Sequence, residues 1–259
     1  MDPRPVGLFD SGSGGLSVLG YLCALAPDER YLYFADTQYF PYGSRPAAEV
    51  RKRAFSVVHR LLQSEVKLVV IACNTASAAA AGDLRAAFEI PFVAMVPAVK
   101  PAASLSRTGR VAVLATTGTL DGAMYDEVRA EFGGGVALEA VPCPELAALI
   151  EAGELGSEAV RAQVHDALGP PVRNGVDTVV LGCTHFHFLE GLVKEEYPGI
   201  NVIGTAEPVA RRVVQVLSEG NLCAPAGSEG GLSFIVSGDR RRFVTLVKTL
   251  PWNRPAVGG

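Results

Sequence analysis

The chain has 259 residues, of which 49% are hydrophobic and 19% are charged, and its net charge at pH 7 is −4. This composition is typical of a folded α/β protein with a substantial core, and it excludes an intrinsically disordered chain. The small negative charge argues against binding to nucleic acid or to an anionic membrane. The basic run from Arg240 to Arg242 is too short for a phosphate-binding patch, and we interpret it as a solvated helix start.

The sequence also bears on location and redox state. No run of about 18 apolar residues could span a membrane, and the N-terminal stretch "MDPRPVGLFDSG" lacks the features of a signal peptide. We therefore expect a cytoplasmic protein. Thiols stay reduced in that compartment, so we do not expect the five cysteines to form a disulfide framework.

The first third of the chain alternates short apolar runs with helix-like stretches. The runs "PVGLFD", "RYLYFAD" and "VKLVVIAC" predict strands, and "GLSVLGYLCALAP", "AAEVRKRAFSVVHRLLQSE" and "TASAAAAGDLRAAFE" predict helices. Nearly continuous apolar strands separated by helices are typical of a doubly wound parallel sheet.

The same alternation restarts at Arg110. The segments "RVAVLATTGT" and "VDTVVLGCTHF" predict strands, "VALEAVPCPELAALIEAG" a strand and a helix, and "SEAVRAQVHDAL" a helix. Asp10 and Cys73 lie about 63 residues apart, and Thr116 and Cys183 about 67, which suggests two similar halves related by duplication. The segments "GINVIGTAEPVARRVVQVL" and "LSFIVSGDRRRFVTLVKTL" each add one more strand and helix.

Chemically useful residues stand at the predicted strand ends. In open α/β sheets, ligands bind beyond the carboxyl ends of the strands, where Asp10, Asp36, Cys73, Thr116 and Cys183 are predicted to lie. Two halves facing each other across a cleft would bring the two cysteines to opposite sides of one site. A helix N-terminus after each cysteine would lower the thiol pKa. The alternative for each cysteine alone is a small buried apolar residue.

The glycine-rich turn "DSGSGG" would expose backbone N–H groups to an anion. Asp36 stands where a dinucleotide-binding fold keeps a ribose-binding acid, but Ser17 occupies the place of the third glycine of that motif, which weakens this interpretation. Asp10 either points into the cleft or caps the following helix, and the sequence leaves both roles open.

Two further loops offer candidate groups. The stretch "ADTQYFPYGSRP" is either a plain turn or an element whose backbone and Tyr42 close on a ligand. In "CTHFHF", Cys183, His185 and His187 could ligate a metal, but their spacing matches no standard zinc motif. We interpret His185 as an acid/base partner of the thiol, and His187 as a packing or solvent-facing residue.

Taken in order, these motifs resemble those of the glutamate racemases. "GLFDSGSGGL" is similar to the opening DSGxGG motif of that family, "ADTQYFPYG" to its D-T-x-x-x-P-Y-G motif, and "ACNTAS" and "LGCTHF" to its two cysteine motifs. The segments "AMVPAVKPA", "LATTGT", "LIEAGE" and "FIVSGD" resemble family segments as well. The resemblance therefore covers nearly the whole chain.

The resemblance implies two pseudosymmetric, doubly wound domains of the Rossmann or flavodoxin type, with parallel sheets and an active site in the cleft between them. The first domain would comprise residues 1–97 and 208–259, and the second residues 98–207. The implied activity is a cofactor-free and metal-free interconversion of L- and D-glutamate by two bases, an isomerase reaction that supplies D-glutamate for bacterial peptidoglycan. The implied partner is this small-molecule substrate, with no nucleic acid and no membrane, and a homodimer is left open.

The resemblance also assigns residues by position. It makes Cys73 and Cys183 the two catalytic acid/bases, with Asp10, His185 and Glu151 as catalytic auxiliaries. The implied substrate-binding positions are Asp10, Ser11, Tyr42, Gly43, Asn74, Thr75, Thr184 and His185. The chain departs from the family at two places: many members have proline where His187 stands, and an acidic residue, expected to support His185, where Gly204 stands.

Two rival hypotheses remain at this level. One is a related racemase that acts on aspartate, a hydantoin or another carboxylate, because the sequence does not show the shape of the pocket. The other is a non-enzymatic dinucleotide-binding or effector-sensing α/β protein, against which the missing third glycine and the paired cysteines argue.

Overall fold

A computed structural model of the chain describes residues 1–132 and 135–252. The first part of the chain folds, in order, into β1 (Val6–Asp10), α1 (Leu16–Leu25), β2 (Arg30–Ala35), α2 (Ala47–Leu62), β3 (Leu68–Ile71), α3 (Asn74–Ala87) and β4 (Phe92–Ala94). Two short 3₁₀ turns, Thr37–Tyr39 and Tyr42–Ser44, connect β2 to α2.

The second part repeats this alternation with more helices. It contains α4 (Val99–Leu105), β5 (Arg110–Ala115), α5 (Thr117–Leu120), α6 (Ala123–Phe132), β6 (Ala137–Pro142), α7 (Leu146–Glu151), α8 (Glu158–Arg173), β7 (Thr178–Leu181), α9 (Glu190–Glu196) and β8 (Asn201–Ile203). The chain then adds α10 (Ala206–Glu219), β9 (Gly231–Val236) and α11 (Arg240–Thr249). The predicted basic helix start is confirmed, because the three arginines that begin α11 are exposed.

The strands form two parallel sheets with the same internal order. The first sheet has the order β4-β3-β1-β2-β9 and the second the order β6-β5-β7-β8. Reversed, the second order matches the first four strands, with β5 in the place of β1 and β7 in the place of β3. The predicted pair of doubly wound, pseudosymmetric halves is thereby confirmed, and β9 extends only the first of them.

This strand order determines where a site can form. β1 pairs with β3, and β5 with β7, so the residues that follow these strands lie side by side at one edge of each sheet. In each half the chain moves from the central strand to one side and then crosses to the other. Such a switch point leaves a crevice at the carboxyl ends of the strands, where ligands bind in open α/β sheets.

The apolar core explains why the strands are nearly continuous apolar runs. Alternate residues of β1 and β3 point into two different apolar clusters, so both faces of the first sheet are covered. One of these clusters also contains Ala112 and Leu114 of β5, so apolar packing joins the two halves. β9 pairs with β2, and α10 packs on α1, so the chain returns to the first half after β8. The boundaries at residues 97 and 207 stay predictions.

Some elements were not predicted from the sequence. Strand β4 has three residues, and α4 and α6 lie between segments that the apolar pattern marked clearly. The helix expected directly after Cys183 is instead a 3₁₀ helix, Thr184–Leu189, followed by α9. Thr184 and His185 begin this 3₁₀ helix, and both are buried.

Candidate active site

The glycine-rich turn after β1 binds the protein's own carboxylates. The N–H of Gly12 donates to Asp10 Oδ1 over 2.7 Å, and the N–H of Ser13 donates to Glu151 Oε2 over 2.9 Å. The Ser13 hydroxyl donates to the same Glu151 oxygen over 2.5 Å. The turn does attract anions, as its sequence predicted, but these N–H groups are not available to a ligand.

Asp10 links the two halves of the molecule. Its Oδ2 accepts a hydrogen bond of 2.9 Å from the Thr184 hydroxyl, which lies on the other half. The side chain is fully buried, and burial raises the pKa of this carboxyl above its ordinary value, although the nearby His185 opposes the shift. The alternative role as a helix cap is wrong, because α1 begins at Leu16 with Gly15 at its cap position.

Cys73 stands at the cap position of α3, directly after β3, and is 5% exposed. Burial raises the pKa of its thiol above the ordinary value, and the negative charge of Asp10 raises it further. The backbone N–H groups of Ala76 and Ser11 act in the opposite direction but do not compensate. The expectation that the helix N-terminus would lower this pKa is therefore wrong for Cys73, because desolvation of the thiolate outweighs the helix end.

Cys183 has a different electrostatic environment. Nδ1 of His185 lies 4.0 Å from Cys183 Sγ, and Nε2 of the same ring lies 2.8 Å from Glu151 Oε2. Burial disfavours the charged imidazolium, but the contacts with Cys183 and Glu151 outweigh burial and raise the pKa of His185 well above its ordinary value. Burial likewise opposes ionisation of Glu151, but its bonds to His185 and Ser13 lower its pKa. The imidazole beside Cys183 thus favours its positively charged form, whereas the group whose charge acts on Cys73 is the carboxyl of Asp10.

Both cysteines line the same cavity. Most of the predicted site residues lie in its wall, whereas Asp10 and Glu151 lie behind it, in contact with Thr184 and His185 respectively. Among the described residues, the wall consists of Ser11, Phe40, Pro41, Tyr42, Gly43, Cys73, Asn74, Thr75, Thr116, Ala147, Cys183, Thr184 and His185.

One wall residue has unused hydrogen-bonding capacity. Asn74 is 4% exposed, and within residues 1–132 and 135–252 neither its side-chain oxygen nor its nitrogen has a hydrogen-bond partner. A buried polar group without a partner costs about 1–3 kcal/mol. A polar ligand in the cavity would supply that partner, so Asn74 is a candidate ligand-binding residue.

The loop that carries Tyr42 is held by an ion pair between a buried carboxylate and a partly exposed arginine. Arg53 on α2 donates two hydrogen bonds of 2.6 Å to the carboxylate of Asp36, and the Tyr42 hydroxyl donates to the same carboxylate over 2.5 Å. The Arg53 guanidinium also lies 4.1 Å from the centre of the Tyr39 ring. The ribose-binding role considered for Asp36 is therefore wrong, because both of its carboxylate oxygens already accept hydrogen bonds.

Contacts between the halves also shape the cavity. The hydroxyl of Thr75 lies 2.9 Å from that of Thr116 and 3.2 Å from that of Thr119. A Cβ placed on Gly43 would lie only 2.6 Å from the Cβ of Thr116, so glycine allows this close approach. The sequence marked Thr116 only as a strand-end residue, and by the register of β5 with β7 it occupies the place that Ser11 has in the other half. Phe40, Pro41 and Ala147 gave no sequence signal of their own.

The two departures from the family pattern lie next to each other, outside the cavity wall. The ring of His187 occupies the space beside Gly204, whereas the carboxylate that contacts His185 belongs to Glu151. Position 204 therefore accommodates His187 in this chain rather than supporting His185. Within the part of the chain that the structure describes, no group of three or more His, Cys, Asp or Glu side chains is arranged to hold a metal ion.

The family model for the Asp/Glu/Hydantoin racemases matches residues 20–213, well over half of the chain. The chain belongs to this family. The glutamate racemase of Herpetosiphon aurantiacus is 41% identical over 251 residues, which cover 96% of this chain and 99% of that protein. The resemblance seen in the motifs is confirmed, and with it the prediction of an isomerase of the amino-acid racemase type.

Solved structures of the family have the same fold. A glutamate racemase isoform from Bacillus anthracis superposes with a TM-score of 0.87 at 30% identity, covering 96% of this chain and 94% of that one. The Escherichia coli glutamate racemase, in complex with L-glutamate and the activator UDP-MurNAc-Ala, gives a TM-score of 0.83 at 33% identity over 97% of each chain. Among the helices described for this member of the family, none combines the length and apolar character that a membrane crossing requires.

Proposed function

We propose that this protein interconverts L- and D-glutamate without a cofactor, using Cys73 and Cys183 as the two bases. The observation that carries the proposal is that two cysteines, at equivalent strand ends of two pseudosymmetric sheets, line the same small cavity. Relatives named as glutamate racemases over nearly the full chain, and one that binds L-glutamate, support glutamate as the substrate.

Racemisation requires that a proton leaves one face of Cα and another arrives at the opposite face. One cysteine, as a thiolate, removes the Cα proton and becomes a thiol. The other cysteine, as a thiol, delivers its proton to the opposite face and becomes a thiolate. The reverse reaction exchanges the two roles, so a base on each side makes rotation of the substrate unnecessary.

The raised pKa of Cys73 fits this role. A Cα proton is weakly acidic, and a thiolate whose conjugate acid has a high pKa accepts it more readily than an ordinary thiolate would. The same shift means that Cys73 is protonated in the free protein at neutral pH, ready to act first as the proton donor. Asp10, whose charge acts on this thiol, would exchange a proton with it when the direction reverses.

The substrate carboxylates would be held by neutral groups of the wall. Ser11 and Thr75 present hydroxyls, Asn74 presents its unpartnered amide, and Thr184 lines the wall with its hydroxyl already donated to Asp10. Asn74 and Thr75 also open α3, whose N-terminus favours negative charge. Such donors stabilise an anion without bringing a mobile cation into the cavity.

The charged pair of His185 and Glu151 would serve Cys183. An imidazolium 4.0 Å from Sγ can donate a proton toward it or hold the thiolate by charge, while Glu151 fixes the orientation of the ring.

The proposal also includes the two domains, residues 1–97 with 208–259 and residues 98–207, because β9 rejoins the first sheet. A cytoplasmic location and a supply of D-glutamate for peptidoglycan complete it.

The test measures racemisation by circular dichroism, starting separately from L- and D-glutamate. Cys73→Ala and Cys183→Ala should each abolish racemisation, because neither cysteine can reach the face that the other serves. Cys143→Ala is the matched control, since Cys143 is as buried as Cys73 but does not lie in the cavity wall. A near wild-type rate in either catalytic variant would contradict the two-base assignment. Faster turnover of aspartate or a hydantoin than of glutamate would contradict the substrate assignment alone.

A further inference from the structure

His187 is partly buried next to the loop of Thr184 and His185, and its ring contacts α1 and the start of α10 as well as its own 3₁₀ helix. The backbone N–H of Thr205, at the cap of α10, donates to His187 Nε2 over 2.8 Å. Because a backbone N–H can only donate, Nε2 must accept, and in the neutral ring the proton is on Nδ1. Nδ1 then donates to the carbonyl oxygen of Thr184 over 3.1 Å and approaches the Ser17 hydroxyl at 3.4 Å.

One protonation state satisfies all of these contacts. The Ser17 hydroxyl donates to the carbonyl of Gly14 over 2.8 Å, so its oxygen is free to accept from the imidazole. Burial lowers the pKa of His187 to about 4, so the ring is neutral at physiological pH. A neutral imidazole thus bridges α1, the loop after β7 and the start of α10.

Gly204 provides the space for this ring. A Cβ built on Gly204 would lie 2.7 Å from His187 Cδ2 and 3.1 Å from Nε2. The backbone of Gly204 does not adopt the left-handed conformation that favours glycine. Its requirement for glycine therefore comes from the neighbouring ring and not from its own backbone conformation.

The bridge ends on residues of the candidate active site. The carbonyl that His187 holds belongs to Thr184, whose hydroxyl donates to Asp10, and the next residue is His185, which contacts Cys183. Resting on the proposed function, we propose that His187 is a positioning residue for the loop of Thr184 and His185, with Gly204 as its obligatory partner. Moving this loop moves two contacts at once, those of Asp10 and of Cys183.

A double-mutant cycle on kcat tests the pair. A misplacement of about 1 Å can cost about 10²-fold in rate, so Gly204→Ala and His187→Ala should each lower kcat by about 10–100-fold. In the double variant the new methyl group enters the space that the ring has left. Its kcat should therefore equal that of His187→Ala within about twofold, instead of showing the product of the two losses.

Gly191→Ala is the matched control, because a Cβ at this neighbouring glycine meets no atom within 4 Å and should leave kcat unchanged. The proposal is overturned if Gly204→Ala retains wild-type kcat. It is also overturned if Gly204→Ala lowers kcat by the same factor in the His187→Ala background as in the wild type. Thermal melting of each variant shows whether a lower kcat comes from unfolding, because unfolding would also lower the melting temperature.

Two conservative variants decide the question if His187→Ala does not fold. The amide nitrogen of His187→Asn can replace Nδ1 as the donor to Thr184, whereas the amide oxygen of His187→Gln can replace only the acceptor for Thr205. The Asn variant should retain more of the wild-type kcat, and the reverse order overturns the proposal.

A ligand-free measurement separates this proposal from the proposed function. The chain has four histidines, so the ring ¹⁵N signals of His185 can be followed in each variant. If the wild-type protein does not racemise glutamate, the proposed function fails. The positioning role still stands if His187→Ala shifts the His185 signals, and it falls if those signals stay unchanged.

Discussion

Replacing Glu151 by glutamine removes the negative charge beside His185 and keeps the shape of the side chain. In the native protein, Glu151 Oε2 accepts from the Ser13 N–H, the Ser13 hydroxyl and His185 Nε2, at distances of 2.5–2.9 Å. An opposite charge at this distance shifts a pKa by about 1–3 units. The variant should therefore lower the pKa of His185, because burial then opposes the charged ring and only the contact with Cys183 still favours it.

The same change should destabilise the fold. One pKa unit corresponds to about 1.4 kcal/mol, and removing one partner of a buried ion pair costs about 3–5 kcal/mol. Both side chains are less than a tenth exposed, so solvent screening reduces this cost little. We expect Glu151→Gln to lower the free energy of unfolding by about 3 kcal/mol near neutral pH.

The loss should depend on pH in a defined direction. His185 has a raised pKa, so its contribution is complete below its ordinary value of 6.5 and is lost as pH rises through the folded-state pKa. Glu151 has a lowered pKa, so its contribution is complete above 4.5 and is lost as pH falls through its folded-state pKa. The stability difference between wild type and variant should be largest between these two values and shrink as pH rises further.

The assay combines urea denaturation across pH with NMR titration of the histidine ring signals. Glu154→Gln is the matched control, because Glu154 is an exposed glutamate shortly after α7. The reasoning is refuted if the His185 pKa is the same in the variant as in the wild type. It is also refuted if the stability difference stays constant, or grows, as pH rises above about 6.5.

The Asp36–Arg53 ion pair, the glycines and the exposed thiol give further predictions. Arg53→Met leaves the buried Asp36 carboxylate without its cation, so it should lower the free energy of unfolding by about 3 kcal/mol. Because Asp36 also binds Tyr42, the variant should raise the KM for glutamate. Urea denaturation and steady-state kinetics measure the two effects, and an unchanged KM contradicts the link to the Tyr42 loop. Gly43→Ala places a Cβ 2.6 Å from the Cβ of Thr116 and should lower kcat/KM at least about tenfold. Its control, Gly82→Ala, meets no atom within 4 Å on an exposed face of α3, and in urea it should stabilise the fold by about 1 kcal/mol. A thiol reagent should label the exposed Cys223 rapidly in the native protein, and the buried Cys73, Cys143 and Cys183 much more slowly, as mass spectrometry of the labelled peptides would show; equal labelling rates would contradict this order.

The elements that the sequence predicted are those whose cause is local. Strands β1, β3 and β7 are buried along their whole length, so each appears as a nearly continuous apolar run. The near-equal spacing of strand-end residues indicated two similar halves, and the matching strand orders agree with that. Residues that end such strands could be assigned to one edge of a sheet from the strand pattern and connection lengths alone. Cys73, Cys183 and Asp10 were therefore predicted site residues.

What the tertiary structure decided depends on contacts between distant segments. The glycine-rich turn is occupied by Glu151, 138 residues away from Ser13, and Asp10 is bonded to Thr184, 174 residues away. No local pattern encodes such pairs, so the sequence could not show that the turn is already filled. The pKa of Cys73 rises, against the local expectation from its helix, because burial depends on the packing of both halves. The fit of His187 to Gly204 is likewise invisible in sequence, since a histidine and a glycine in separate elements become partners only when folding brings the ring to the missing Cβ.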